Sequence, residues 1–121
     1  MANFCWTTLS VQNLEASLDF YQNVVGLQVS ERMMPGESVE IVFLGKGETK
    51  LELIQHPDYL PVDSAQGIFL GFEVASLERQ MEFVKTQGIE ITGGPYQPSP
   101  HVKFFFVQDP NGVTVQFVEK I

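Results

Sequence analysis

The sequence predicts an α+β fold built from two tandem β-α-β-β-β modules, forming a curved mixed sheet with the helices on the outside. Three observations predict it. First, the chain repeats itself: Val11-Gln12-Asn13-Leu14-Glu15, followed by Phe20, recurs 63 residues later as Val74-Ala75-Ser76-Leu77-Glu78, followed by Phe83. Gly26-Leu27-Gln28-Val29 recurs at an offset of 62 as Gly88-Ile89-Glu90-Ile91, and Leu51-Glu52-Leu53-Ile54 at 64 as Val115-Gln116-Phe117-Val118. Second, each copy holds one segment of helical spacing among segments of alternating or continuous apolar character. Third, 121 residues with 44% hydrophobic content suit one domain with a real core. Two equivalent halves are expected to make a pocket between them, where residues at matching positions converge.

Each element follows in turn. Residues 4–11 read as a strand, with Leu9 and Val11 on one face and Phe4, Trp6, Thr8 and Ser10 on the other. Asn13 is placed to cap a helix, since its side chain accepts an early helix N–H. Leu14, Leu18, Tyr21 and Val25 continue at helical spacing, and Gly26 supplies the stop. Strands are expected at about 27–34, 38–45 and 49–55, separated by Pro35-Gly36 and Gly45-Lys46-Gly47. The second copy repeats this order. A strand spans about 67–74. A helix spans about 77–87, with Ser76 as cap, Leu77, Met81 and Val84 as the buried stripe, and Gly88 as stop. Strands are expected at about 89–92, 102–108 and 113–119, the last after the turn Asp109-Pro110-Asn111-Gly112. The prolines at 95, 98 and 100 predict a loop over 93–101. The whole chain is thus one domain, with module one over about 4–55, a linker over 56–66 and module two over about 67–121.

Composition excludes several classes of function. A net charge of −8 with seven scattered basic residues argues against nucleic acid and against an anionic membrane surface. No apolar run reaches the roughly 20 residues of a membrane span, and the first residues lack the pattern of a signal peptide. A cytoplasmic location is expected. The single cysteine, Cys5, rules out an internal disulfide and reads as a small hydrophobe.

Alternation along the strands assigns the faces. Leu51 and Leu53, like Val115 and Phe117, should meet the helices, which turns Glu52 and Gln116 to the opposite, open face. Trp6 and Phe69 occupy equivalent outward positions, with Leu70, Phe72 and Val74 on the helix side. One constellation results: Trp6, Glu52, Phe69 and Gln116. Phe104-Phe105-Phe106 is an apolar strand, from which Phe105 or its neighbours are expected to narrow the cavity, with plain core packing the favoured reading.

Leu14-Glu15-Ala16-Ser17-Leu18-Asp19-Phe20-Tyr21 leading to Gly26-Leu27, the duplicated module, and Asp109-Pro110-Asn111-Gly112 before the last strand together resemble the vicinal oxygen chelate superfamily. That superfamily holds glyoxalase I, methylmalonyl-CoA epimerase, extradiol dioxygenases and bleomycin-resistance proteins. The resemblance covers nearly the whole chain. It implies a dimer and a small-molecule ligand. Its metal-dependent members place His or Glu at four cavity positions, and the matching residues here are Trp6, Glu52, Phe69 and Gln116. Only Glu52 is a strong ligand. Indole and phenyl rings offer a metal no lone pair, and an amide carbonyl suits transition metals poorly. No metal and no cofactor are therefore expected.

The expected function is metal-independent binding of an apolar or planar aromatic small molecule, resembling the bleomycin-resistance branch. Trp6 and Phe69 would stack on the ligand, or else plug the space of the missing metal. Glu52, Gln116, Lys103 and Phe105 complete the candidate ligand contacts. The alternative is a glyoxalase-like lyase or isomerase, with Glu52 as general base and Gln116 or Lys103 stabilising an enolate. Against a catalytic Glu52 stands an inherited carboxylate hydrogen-bonded to Gln116, Lys103 or water. A third possibility is a closed scaffold acting through protein contacts. His56 and His101 sit in proline-containing loops and read as solvated histidines rather than a metal pair. Met33-Met34 and Tyr59-Leu60 read as a ligand lid or a dimer contact.

Overall fold

The computed structural model describes residues 1–47 and 49–121. The chain forms two compact units, Met1–Asp63 and Ser64–Ile121. In the first, β1 (Trp6–Ser10) leads into α1 (Leu14–Asp19), which continues as a π-helical segment over Phe20–Val25. Then come β2 (Val29–Gly36), β3 (Val39–Leu44) and β4 (Lys50–Gln55), in the spatial order β1-β4-β3-β2. In the second, β5 (Ala65–Glu73) and α2 (Leu77–Thr86) are followed by β6 (Gly93–Ser99), β7 (Val102–Gln108) and β8 (Val113–Lys120), in the order β5-β8-β7-β6. Both sheets are mixed: β1 runs parallel to β4 and β5 parallel to β8, while the remaining pairs are antiparallel.

The repeat extends to the hydrogen bonds that start each helix. The Asn13 side chain accepts from Ala16 N–H (3.1 Å), and the Ser76 hydroxyl from Arg79 N–H (3.3 Å). A second group reaches each helix from the last strand of its own unit. The Leu14 N–H donates to Gln55 Oε1 (2.8 Å), and the Leu77 N–H to Glu119 Oε1 (2.7 Å). Orphan donors of the first turn thus have partners from two directions. Asn13→Ala and Ser76→Ala should each lower stability by about 1 kcal/mol, read as a shift of the urea midpoint at constant slope.

Alternation along the strands produces the core. Leu9, Val42, Leu44, Leu51 and Leu53 are buried in the first unit, under Leu14, Leu18 and Tyr21 of the helix. In the second, Phe105, Val107, Val115 and Phe117 are fully buried with Val84 of α2. The helical stripe of the first unit closes on Val24, which is buried, rather than on the expected Val25, which is half-buried. Gly26 ends that helix with a φ of 91°, and the Leu27 N–H returns to the Tyr21 carbonyl (2.9 Å).

One expected element moves. Residues 89–92 form no strand, and the expected loop over 93–101 is mostly the strand β6. Three prolines argued for a loop because proline cannot donate to a ladder. Two features remove that objection. β6 is an edge strand, and its pairing with β7 runs through Gly93, Tyr96 and Ser99 alone. Pro95 and Pro98 fall at the irregularities between those pairs, where a bulge leaves a residue unpaired.

Candidate functional site

On the first sheet, register fixes which side chains share the face away from α1. Trp6 lies beside Lys50 and Thr8 beside Glu52 across the parallel pair. Phe43 lies beside Glu52 on the other side, and Glu31 beside Phe43. The Trp6 ring meets Phe43 edge-on, with centroids 5.2 Å apart and planes at 71°, the arrangement that ring quadrupoles favour. The Thr8 hydroxyl donates to the Glu52 carboxylate. A hollow of about 240 Å³ opens here, lined by Cys5, Trp6, Glu31, Phe43 and Lys50. Trp6 keeps 48% of its surface exposed, too much for a plain core ring.

The second sheet repeats this face. Phe69 lies beside Thr114 and Gly71 beside Gln116 across the parallel pair, and Phe106 lies beside Gln116 from β7. Phe69 and Phe106 stand 5.3 Å apart, the counterpart of Trp6 and Phe43. Further rings continue the surface: Phe104 is 5.4 Å from Phe106, and Tyr96 is 5.8 Å from Phe104. Phe69 and Tyr96 are 57% and 50% exposed. Gly71 replaces Thr8, so Gln116 has no hydroxyl at the position that Thr8 holds beside Glu52.

Trp6, Glu52, Phe69 and Gln116 therefore stand at equivalent places on the open faces of their own sheets. Lys103 and Phe105 do not join Gln116. The pairing of Phe106 with Gln116 puts Phe104 and Phe106 on the open face, and alternation then sends Lys103 and Phe105 to the helix side. Phe105 is fully buried against Phe117 at 5.3 Å. Lys103 lies 3.8 Å from Glu119. The open face holds two residues that the sequence reading passed over, Lys50 and Phe43. Lys50 was findable, since it stands two positions before Glu52 and period two puts both on one face. Phe43 was findable as the 63-residue counterpart of Phe106.

His56 stacks on Tyr59 (4.2 Å, 14°), and its Nδ1 accepts from the Asp58 N–H (3.0 Å). His101 is exposed in the turn between β6 and β7. Among the described residues no group of three or more His, Cys, Asp and Glu is arranged to hold a metal. The four positions matching the family's ligands offer one carboxylate, already engaged by Thr8, one amide and two aromatic rings. This donor set does not fit the divalent ion of metal-dependent relatives.

The duplicated β-α-β-β-β unit, with part-exposed aromatic rings on the open face of each sheet, defines a class of proteins in which one scaffold serves both binding and catalysis. The match to the Glyoxalase/Bleomycin resistance protein/Dioxygenase superfamily model spans residues 4–117, and the chain belongs to that superfamily. The chain is 37% identical over 123 residues to a lactoylglutathione lyase of Neisseria meningitidis serogroup A, covering 94% of this chain and 88% of that protein. It is 30% identical over 125 residues to the mitochondrial methylmalonyl-CoA epimerase of Dictyostelium discoideum, covering 93% and 75%. Among solved structures, TnmS3, an antibiotic binding protein from Streptomyces sp. CB03234, superposes with a TM-score of 0.79 at 18% identity, covering 100% of this chain and 98% of that one. Leishmania major glyoxalase I superposes at 0.80 with 21% identity, covering 98% and 87%. These two structural likenesses establish the fold. No helix among the described residues is long and apolar enough to cross a membrane.

Proposed function

We propose that this protein binds a planar, apolar or aromatic small molecule without a metal, as a homodimer, by stacking it on the open-face rings. The observation that carries this reading is the repeated ring pair, Trp6–Phe43 and Phe69–Phe106, with both outer rings about half exposed. Such surfaces supply area at small entropic cost, and a few polar groups then fix orientation. Glu52 and Gln116 are those groups, one charged and one neutral. Glu31 and Lys50 also border the first hollow, so that face offers a ligand charges of both signs.

A thermal-shift screen of planar aromatic compounds, beside Zn and Ni salts, tests the reading. An aromatic hit whose affinity falls about tenfold or more in Trp6→Ala or Phe69→Ala, each removing a stacking ring, supports it. Stabilisation by a metal that vanishes in Glu52→Gln overturns it. Light scattering at several concentrations tests the dimer.

A second reading has its own observation. The relative named lactoylglutathione lyase supports catalysis, and Glu52 shares its face with Lys50. In that reading Glu52 takes a proton α to a carbonyl, while Lys50 rather than Lys103 stabilises the developing oxyanion. Turnover of a hemithioacetal or acyl thioester, lost in both Glu52→Gln and Lys50→Met, would establish it over simple binding.

A further inference from the structure

The two copies differ on the helix side of their sheets, between helix and edge strand. In the first unit this groove is latched. The Arg32 guanidinium on β2 donates to Glu15 of α1 (2.7 Å) and, through Nε, to Glu40 of β3 (2.7 Å). Both carboxylates hold its pKa above the ordinary arginine value, mainly through these hydrogen bonds, Glu15 first. In the second unit Glu78 stands at the place of Glu15, and Lys103 at the place of Glu40, since Lys103 pairs with Glu119 as Glu40 pairs with Gln55. The place of Arg32 falls to Gly94-Pro95, which carry no charged arm. What remains is an open hollow of about 320 Å³, lined by Leu77, Glu78, Met81, Pro95, Tyr96, Gln97 and Lys103.

That hollow has an apolar floor and one charge of each sign at its border. Its volume reaches the lower end of the roughly 300–1,000 Å³ of small-molecule sites. The Lys103 ammonium pairs with Glu119 Oε2 at 3.8 Å, beyond a good hydrogen bond, while the other oxygen of that carboxylate accepts from the Leu77 N–H. An ammonium has three donors to give. Where the first copy answers its two carboxylates with a guanidinium, the second presents a carboxylate and an ammonium, and its complement is a zwitterion.

We propose that the α2–β6–β7 groove is a second ligand site that takes a free α-amino acid with an apolar or aromatic side chain. The ligand's carboxylate pairs with Lys103, its ammonium with Glu78, and its side chain packs on Leu77, Met81 and Pro95. The charged groups of the site are separate from the open-face reading, because Lys103 lies on the opposite side of its sheet from Gln116, although Tyr96 of the edge strand borders both.

Calorimetric titration with L-phenylalanine and L-leucine tests this, with 3-phenylpropionate and phenethylamine as analogues lacking one charge each. The amino acids should bind, and each analogue about tenfold more weakly, as expected for losing one charge-assisted contact. Lys103→Gln and Glu78→Gln should weaken the amino acid similarly, and Met81→Trp should block it, while Trp6→Ala leaves it unchanged. Circular dichroism confirms that each variant is folded. Two results overturn the proposal: no heat and no ligand-observed magnetic resonance signal at about 10 mM amino acid, weaker than any useful affinity, or binding that Lys103→Gln leaves intact. Binding lost in Trp6→Ala would place the amino acid on the open face and overturn it equally.

Discussion

Phe117→Ala is expected to destabilise the protein by about 3–5 kcal/mol, the range for truncating a fully buried phenylalanine. Phe117 has no exposed surface and meets Phe105 at 5.3 Å. It sits on β8, a central strand, between Phe72 of β5 and Phe105 of β7. No neighbour can collapse into the space without leaving a strand register fixed by hydrogen bonds on both sides. The variant therefore keeps a cavity as well as losing transfer energy. Such a loss is a large part of the roughly 5–15 kcal/mol of a typical domain. Phe69→Ala is the control, because Phe69 stands on the other face and is mostly exposed; it should cost under about 1 kcal/mol. Urea denaturation of the two variants measures the contrast. Equal losses would refute the assignment of faces.

Asp109→Ala should cost about 2–4 kcal/mol, although it removes little apolar contact. The buried carboxylate organises the turn before β8. Its Oδ1 accepts from the N–H groups of Asn111 (2.8 Å) and Val113 (2.9 Å), and its Oδ2 from the Asn111 amide (3.0 Å). Alanine strands two backbone donors where water reaches them poorly, and each such donor costs about 1–3 kcal/mol. Asp109→Asn keeps a side-chain carbonyl for the backbone donors, so about half of the loss should return. Denaturation midpoints of the two variants read the difference. If asparagine were as damaging as alanine, the charge rather than the acceptor geometry would be what matters.

The sequence made most of this architecture readable because the repeat and the strand period are both long-range signals. Leu51, Leu53, Val115 and Phe117 alternate cleanly, so the strand period alone places Glu52 and Gln116 on the open face. The boundaries of α2 and β7 needed only a cap, a glycine and an apolar run. β6 was hidden for a physical reason. Proline counts against a strand only where its missing N–H is wanted, and composition does not reveal that Pro95 and Pro98 fall between pairing points. Phe105 and Lys103 illustrate another limit. In a run such as Phe104-Phe105-Phe106 every residue is apolar, so alternation has no contrast to read and parity must come from the register with β8. Lys103 inherits that ambiguity from its neighbours. Lys50 was overlooked although the period that placed Glu52 places it too.

Gly94 bears on the history of the chain. Its φ is 91°, and an added Cβ would come within 3.0 Å of the Phe104 carbonyl oxygen and 3.1 Å of the Phe105 Cα. Both obstacles are backbone or core, so neither can swing aside. No single substitution at Gly94 can therefore give the second copy an arm like Arg32. The first copy could lose its latch by one change at Arg32, but the second cannot acquire one there without rebuilding the β6–β7 contact. Any charged arm from β6 would have to come from a neighbour such as Pro95, whose side chain already borders the groove, so Gly94 marks where a latch cannot arise.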